Sequence, residues 1–473
     1  MTFLFLPETI LLVSSALLLL LTLVKLEKAL KLVKPLTLVF GLALIAGAAA
    51  TIHQAGLLFE STYKVDLLSQ GFKLLLSIAF FITLLLSDSP LAISKKKLIE
   101  YYLFLSTATL GMMMITSSVN ILTLYISLEL SAYSLYLLSA FRSDGRNAEA
   151  SVKYLIFGAA TSGILLWGLS LLAGLAGTTS LLGIAQASAA LFPQPAYLVA
   201  LAFVSLSFLF KLSSFPVHFW APDVYESAPT PVTAFIATAS KAAAVAILIR
   251  FFMIVGLSAG VISILGVAAF ISMTLGNAAA LVQQDVKRLL AYSSIAQAGY
   301  ILVGLLAGSA EGYSSSFFYA VAYVLMNSGA FLVTLLVAKA SNHDNPQLSH
   351  FDGLAERSPF MALILLLSLL SLAGIPPLVG FTGKWILFSS AMEKGHWFLV
   401  LWGVLNSVVS LFYYLTLVKH AYLEKPKDTS MLAVPGALKA LALALLIAMI
   451  VLGVYPNHLI ELAQRAVSSA VVL

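Results

Sequence analysis

Runs of about twenty apolar residues recur from one end of this chain to the other. A helix of that length rises about 1.5 Å per residue and spans the hydrocarbon layer of a bilayer. No other feature constrains the fold as much. In lipid every backbone N–H and C=O must be satisfied internally, which leaves helices or closed barrels. The runs lack period-two alternation, which argues against a barrel. Charged residues make up only 10% of the chain, against roughly 25% in a soluble domain. The expected fold is an all-α polytopic membrane protein.

Fourteen spans are expected: 8–24, 35–54, 68–87, 99–117, 119–140, 151–175, 196–216, 229–255, 260–282, 288–307, 313–338, 359–391, 397–418 and 437–455. The run 359–391 is too long for one crossing and contains GIPPLVGF, Gly374 to Phe381, so it reads as a broken helix. The run 196–216 breaks in the same way at KLSSFPVHF, five spans earlier. An odd offset reverses orientation, which implies two inverted five-helix units. The chain divides into N-terminal helices (1–118), a core (119–420) and a C-terminal loop with a last span (421–473). No soluble domain is expected. The segment 176–195 reads as a short external surface helix. The segment 339–358, which holds His343 and His350, reads as a solvated loop without a metal-ligand pattern.

Basic residues set the topology. Of 26 Lys and Arg, eighteen fall to the side of the loops after odd-numbered spans and five to the other side, with Lys211, Lys241 and Lys384 deep inside spans. That bias puts the odd loops in the cytoplasm and both termini outside. The first run, 9–24, has no basic residue before it and Lys25, Lys28, Lys31 and Lys34 after it, so it reads as a span rather than a cleaved leader. The loop 217–228 breaks the pattern with Asp223 and Glu226 and no basic residue. Lys73 and Arg250, near span ends, are expected to snorkel towards water. The net charge of +6 reflects loop lysines rather than nucleic-acid binding.

With no cysteine, the chain cannot hold thiolate-bound iron–sulfur clusters or a CxxC redox pair. It has no dinucleotide fingerprint and no P-loop. Any redox cofactor or ATPase would belong to a partner.

Four ionisable residues lie deep in apolar runs: Glu129, Lys211, Lys241 and Lys384. Each costs roughly 2.5–3.5 kcal/mol at a helix centre. Together that is on the order of 10 kcal/mol, too much to be incidental. Burial pulls a lysine towards neutrality and a nearby carboxylate restores its charge, so a movable Glu129–Lys211 pair can load and unload a proton. The bland alternatives are structural ion pairing, or an ammonium that caps carbonyls freed by a helix break. His218, at the first break, either joins a hydrated relay or bonds such a carbonyl.

The stretch FKLSSFPVHFWAPDVYESAPTPVTAFIATASK, Phe210 to Lys241, resembles the signature of the antiporter-like subunits of respiratory complex I, an NADH–quinone oxidoreductase. LELSAYSLY, QQDVKRLLAYSSIAQAGY, YVLMNSGAF and LAGIPPLVGFTGKW extend the resemblance over most of the chain. The resemblance implies a proton-translocating fold with helices seven and twelve broken. It implies that Glu129 and Lys211 are the paired carboxylate and lysine, Lys241 the connecting lysine and Lys384 the helix-twelve lysine. It further implies a bacterial plasma (inner) membrane location and companion membrane subunits. NADH, FMN, iron–sulfur clusters and quinone would be used in partner subunits, and this chain would bind no cofactor or metal. Relatives in the L and M groups, and Mrp-type sodium/proton antiporters, carry a His/Lys pair in helix eleven. Here that helix offers Tyr323 and Asn327, which resembles the subunit N group and leaves the route from Lys241 to Lys384 to water and neutral polar groups. The alternative is a subunit of an Mrp-type antiporter.

Overall fold

The computed structural model describes residues 3–23, 26–87, 93–142, 148–426 and 430–471. Lys25, Arg146 and Lys427, counted above among the loop cations, lie outside the described residues. All fourteen expected spans coincide with helices. Helices α1 (Leu6–Thr22) and α2 (Leu26–Ala50) lead to a hairpin, β1 (Gly56–Leu58) and β2 (Tyr63–Val65). Then come α3 (Leu67–Leu86), α4 (Leu98–Ser117), α5 (Ile121–Ser139), α6 (Ala148–Ala176), α7 (Leu181–Leu191) and α8 (Pro195–Leu212). After a break follow α9 (Trp220–Ser227) and α10 (Thr230–Phe235), which continues through a π turn, Ile236–Ser240, into α11 (Lys241–Val255). Next are α12 (Ala259–Ala280), α13 (Val286–Leu305), α14 (Ala310–Ser341) and the one-turn α15 (Leu354–Arg357). The chain ends with α16 (Pro359–Ala373), α17 (Val379–Glu393), α18 (Trp397–Tyr422), α19 (Gly436–Val454) and α20 (Asn457–Val471).

Among the described residues, eleven helices are individually long and apolar enough to cross a membrane. The other three expected spans differ for separate reasons: α1 has 17 residues, α13 carries many polar groups, and α16 with α17 is one crossing in two pieces. The stretch 228–252 is buried without exception, so the α10–α11 helix is the axis of the bundle. Apolar on all sides, it is covered on all sides. Helices α6, α18 and α19 instead leave apolar faces exposed.

Both expected breaks are present and share a geometry. Helix α8 ends on Ser213 in the left-handed region (φ 61°), and α16 ends on Gly374 (φ 90°). Each stands three residues before a proline, Pro216 and Pro377. The Ser214 N–H donates to Leu209 O at 2.9 Å, and Ile375 N–H to Leu370 O at 3.0 Å, the same closing bond at both ends. Freed backbone groups find partners: Trp220 Nε1 donates to Phe210 O, Phe215 N to Ser272 Oγ, and Gly380 N to Ser371 Oγ. A helix crossing also recurs at the five-span offset. A Cβ on Gly111 (α4) would lie 2.6 Å from Ser131 N and 2.9 Å from Ser127 O on α5. A Cβ on Gly276 (α12) would lie 2.6 Å from Ala296 N and 2.8 Å from Tyr292 O on α13. The sequence separations within the two crossings are identical, so Glu129 and Ser294 occupy equivalent positions.

Several expectations are corrected. Lys73 and Arg250 do not snorkel; both are buried. Lys73 Nζ lies 2.8 Å from Glu8 Oε1, and Arg250 makes two bonds, 2.7 and 2.8 Å, to the Asp66 carboxylate. Glu8 comes from the first turn of α1 and Asp66 from the N-cap of α3, directly after the β hairpin, so each buried cation has a fixed counter-charge. Lys287 is not a loop cation but is buried, donating to Ala228 O and lying 3.6 Å from Asp344 Oδ2. Segment 339–358 is accordingly no plain solvated loop: Asp344, Leu348, Phe351 and Leu354 are buried. His343 and His350 stack with centroids 5.5 Å apart, and no metal-binding cluster occurs among the described residues. The segment 176–195 does contain a short helix, α7. Helix α20 was not expected; it buries Ala463, Ala466, Val467 and Ala470 and exposes Glu461 and Arg465.

Candidate functional site

Lys211 occupies the last turn of α8, directly before the first break. It shares a cavity of about 40 Å³ with Glu129, Ser207, Thr161 and Ser240. That volume holds a few waters. The expected Glu129–Lys211 contact is not a direct ion pair, since the two charges do not come within 4.0 Å. Instead Lys211 Nζ donates to Ser131 Oγ at 2.5 Å, one residue beyond Glu129's neighbour on α5. The structure thus brings the two residues to one cavity and leaves them apart within it.

Lys241 follows the π turn immediately. Such single π turns are rare and concentrate at functional sites. Its ammonium donates to Ser294 O at 2.9 Å and to Ser294 Oγ. Ser294 Oγ also lies 3.3 Å from the Tyr225 hydroxyl of α9. Tyr323 is adjacent, its ring centroid 5.9 Å from Lys241 Nζ, and Asn327 Nδ2 donates to Tyr323 O. Tyr323 therefore sits beside Lys241, with Asn327 one turn further along α14.

The link towards Lys384 comes from residues not singled out in the sequence. On α13, Ser293, Gln297 and Tyr300 share one face at intervals of four and three residues. Ser293 Oγ and Tyr414 Oη are 2.5 Å apart. Gln297 Nε2 donates to Tyr414 Oη at 3.4 Å and to Leu372 O at 3.0 Å. Tyr319 donates its hydroxyl proton to Gln297 Oε1. Lys384 Nζ donates to Ala373 O at 3.1 Å and Ser407 Oγ at 3.2 Å, and stands 4.3 Å from the Tyr300 ring centroid. A chain of neutral polar groups thus runs from the neighbour of Ser294 to the carbonyls beside Lys384. The polar period within QQDVKRLLAYSSIAQAGY was the available signal.

Residues 118–410 match the family described as NADH:quinone oxidoreductase/Mrp antiporter, transmembrane. A relative from Syntrophobacter fumaroxidans, NADH-quinone oxidoreductase subunit N 2, is 45% identical over 420 residues, covering 88% of this chain and 89% of the relative. The chain belongs to the subunit N family. A chain of respiratory complex I from Thermus thermophilus with bound aureothin superposes with a TM-score of 0.84 at 33% identity, covering 97% of this chain and 99% of that one. A chain of the Mrp complex from Dietzia sp. DQ12-45-1b has the same TM-score, 0.84, at 21% identity, with 98% and 97% coverage. That second likeness establishes the fold alone.

In this member of the subunit N family the buried cations fall into two groups. Lys64, Lys73, Arg142, Arg250 and Lys287 each have a carboxylate within 4.0 Å. Lys211, Lys241 and Lys384 have none among the described residues and bond only neutral oxygens. Acids cluster near the two ends of the bundle. Asp223 and Glu226, which broke the charge pattern of the loops, pair with Arg288, and Asp223 also with Lys153. At the opposite end Asp66 caps α3. Burial pushes its carboxyl up, but the Arg250 guanidinium and the Ser69 N–H hold it below its ordinary value. His218 is buried between the rings of Phe215 and Phe219, and its Nδ1 lacks a hydrogen-bond partner; it touches none of the three lysines.

Proposed function

We propose that this chain is a proton-translocating membrane subunit of a bacterial NADH–quinone oxidoreductase. Electron transfer from NADH to quinone takes place in partner subunits, which carry the FMN and iron–sulfur clusters. Here that transfer is coupled to proton export through Glu129, Lys211, Lys241 and Lys384. The observation that carries the reading is that half-buried Lys211 and fully buried Lys241 and Lys384 have no carboxylate partner among the described residues, in a protein that pairs its other buried cations. A lysine without a fixed counter-charge changes its protonation more easily than one held by a carboxylate. The path runs from the Glu129–Lys211 cavity to Lys241. It continues through Ser293, Tyr414 and Gln297 to Lys384. Tyr323 and Asn327 line the Lys241 end, and His218 supports the break. Residues 119–420 form the transport core, flanked by helices 1–118 and by the C-terminal 421–473. The protein sits in the plasma (inner) membrane among other membrane subunits of the complex, both termini outside.

The test is Lys211→Ala and Glu129→Ala, each in the whole complex. Both variants assemble, and quinone-coupled proton pumping falls sharply. Normal pumping by both assembled variants overturns the reading. Co-purification of the chain with an Mrp-type antiporter instead of a quinone reductase would favour the alternative function.

A further inference from the structure

Ser294 stands where the second half of the chain repeats the Glu129 position, yet it is a neutral hydroxyl. It is also the principal partner of the central lysine, since Lys241 Nζ donates to both its carbonyl and its Oγ. On the other side of that Oγ is the Tyr225 hydroxyl. Tyr225 belongs to α9, whose Asp223, Glu226 and Ser227 line a polar cavity of about 410 Å³. Ser294 therefore touches the lysine on one side and the helix that walls this cavity on the other.

We propose that Ser294 is the proton-exchange partner of Lys241, deepening the proton-translocation reading on which this inference rests. With Lys241 protonated, the hydroxyl oxygen accepts from the ammonium, as in the structure. With Lys241 neutral, the same hydroxyl turns to donate to Nζ while its oxygen accepts from Tyr225. A proton then passes in one concerted shift. The Ser294 O–H bond breaks as Nζ–H forms, the Tyr225 O–H breaks as Ser294 O–H re-forms, and a proton arriving as hydronium from the α9 side re-forms the Tyr225 O–H, leaving neutral water. A hydroxyl serves both states because it donates and accepts. A carboxylate at this position would bind the ammonium and trap it. The charged and titratable groups around the site are Tyr225, Asp223 and Glu226 of α9, Tyr323 of α14, and Lys287 two turns back on α13. None is a carboxylate within 4.0 Å of Lys241 among the described residues.

The experiment uses the whole complex in liposomes, with pumping followed by a pH-sensitive dye across a range of external pH. Ser294→Thr keeps the hydroxyl and pumps like the parent. Ser294→Ala keeps the backbone carbonyl that also holds Lys241, assembles, and loses pumping by about tenfold or more. Ser294→Glu shifts the pH optimum of pumping upward by about one unit or more, because Lys241 then releases its proton only at higher pH. An unshifted profile in Ser294→Glu together with normal pumping in Ser294→Ala overturns the assignment. Failure of Ser294→Ala to assemble overturns it too, by making the hydroxyl a packing group. Lys211→Ala is run in parallel. If it stops pumping while the Ser294 variants do not, only this inference falls; if it also pumps normally, the translocation reading falls with it.

Discussion

Replacing Lys384 by arginine separates a proton carrier from a helix cap. In the structure Lys384 closes the second break, donating to Ala373 O at 3.1 Å and Ser407 Oγ at 3.2 Å, with its ammonium 4.3 Å from the Tyr300 centroid. Arginine reaches the same acceptors, offers five N–H donors instead of three, and stacks on an aromatic ring at least as well. The cap therefore survives. Proton release does not. A guanidinium, whose proton is held far above any working pH and recaptured at about 10^10 per molar per second, gives it up roughly once in 1,000 seconds. An ordinary turnover of about ten per second is faster by about four orders of magnitude, or about 5.5 kcal/mol at 1.36 per decade. The complex carrying Lys384→Arg should be purified intact, its subunit content checked by native electrophoresis, and its pumping measured in liposomes by dye quenching. The expected outcome is full assembly with pumping below detection. Pumping within about twofold of the parent would remove Lys384 from the path and leave it as a cap.

Asp66→Asn keeps the N-cap of α3 but leaves Arg250 buried without its counter-charge. The expected loss is about 3–5 kcal/mol in thermal stability of the complex, largely recovered in Asp66→Asn with Arg250→Leu; a double variant no better than the single contradicts this. Because Arg250 and the cap bond hold the Asp66 carboxyl low, its stabilisation is complete above the unfolded value of about 4 and is lost as pH falls through the folded value. The difference between parent and Asp66→Asn should accordingly shrink in acid, and a pH-independent difference would refute the pairing. Gln297→Leu interrupts the chain between Ser293 and Lys384 and should reduce pumping strongly in an assembled complex, while unaltered pumping would send the route elsewhere. Single cysteines at Ser94 and Ser468, labelled in intact cells, should react only at 468; preferential labelling at 94 would reverse the topology.

Spans and breaks were legible because their causes are local. Bilayer-length apolar runs, a proline after KLSSF and two after LAGI each fix structure within a few residues. The four ionisable residues were legible for the same reason, since a charge in a greasy run is conspicuous. What escaped depends on long-range pairing. Lys73 and Arg250 read as snorkelling ends, because their partners Glu8 and Asp66 lie 65 and 184 residues away in the chain. The hairpin escaped because its turn, Phe59–Ser61, holds three consecutive non-glycine residues at positive φ (51°, 53°, 65°), against the usual preference for Gly or Asn there. Helix α20 escaped because an amphipathic segment after a last span is read by its polarity, and only the surface of α3 and α14 reveals its buried face. The π turn before Lys241 has no composition signal at all.

The distribution of acids then bears on how the path works. Every buried cation near the ends of the bundle has its counter-charge fixed by the fold, whether from the hairpin, from α1 or from the 339–358 segment. Along the middle, among the described residues, Glu129 is the carboxylate nearest the lysine row, and it stays out of contact with Lys211 across a cavity of about 40 Å³. A permanent partner at 3 Å in a site of low dielectric would make a lysine's charge a constant of the structure. With hydroxyls and carbonyls as partners, each lysine's charge depends on its neighbour along the row and on Glu129. Movement of Glu129 against Lys211 is then the cheapest perturbation available. It needs only that a few waters leave a cavity of about 40 Å³, and no helix has to cross the membrane. The second half has no such acid, because Ser294 stands in its place. In the proposed path, control over Lys241 and Lys384 would therefore arrive from the first half, with Lys211 as the residue through which the rest of the row is driven.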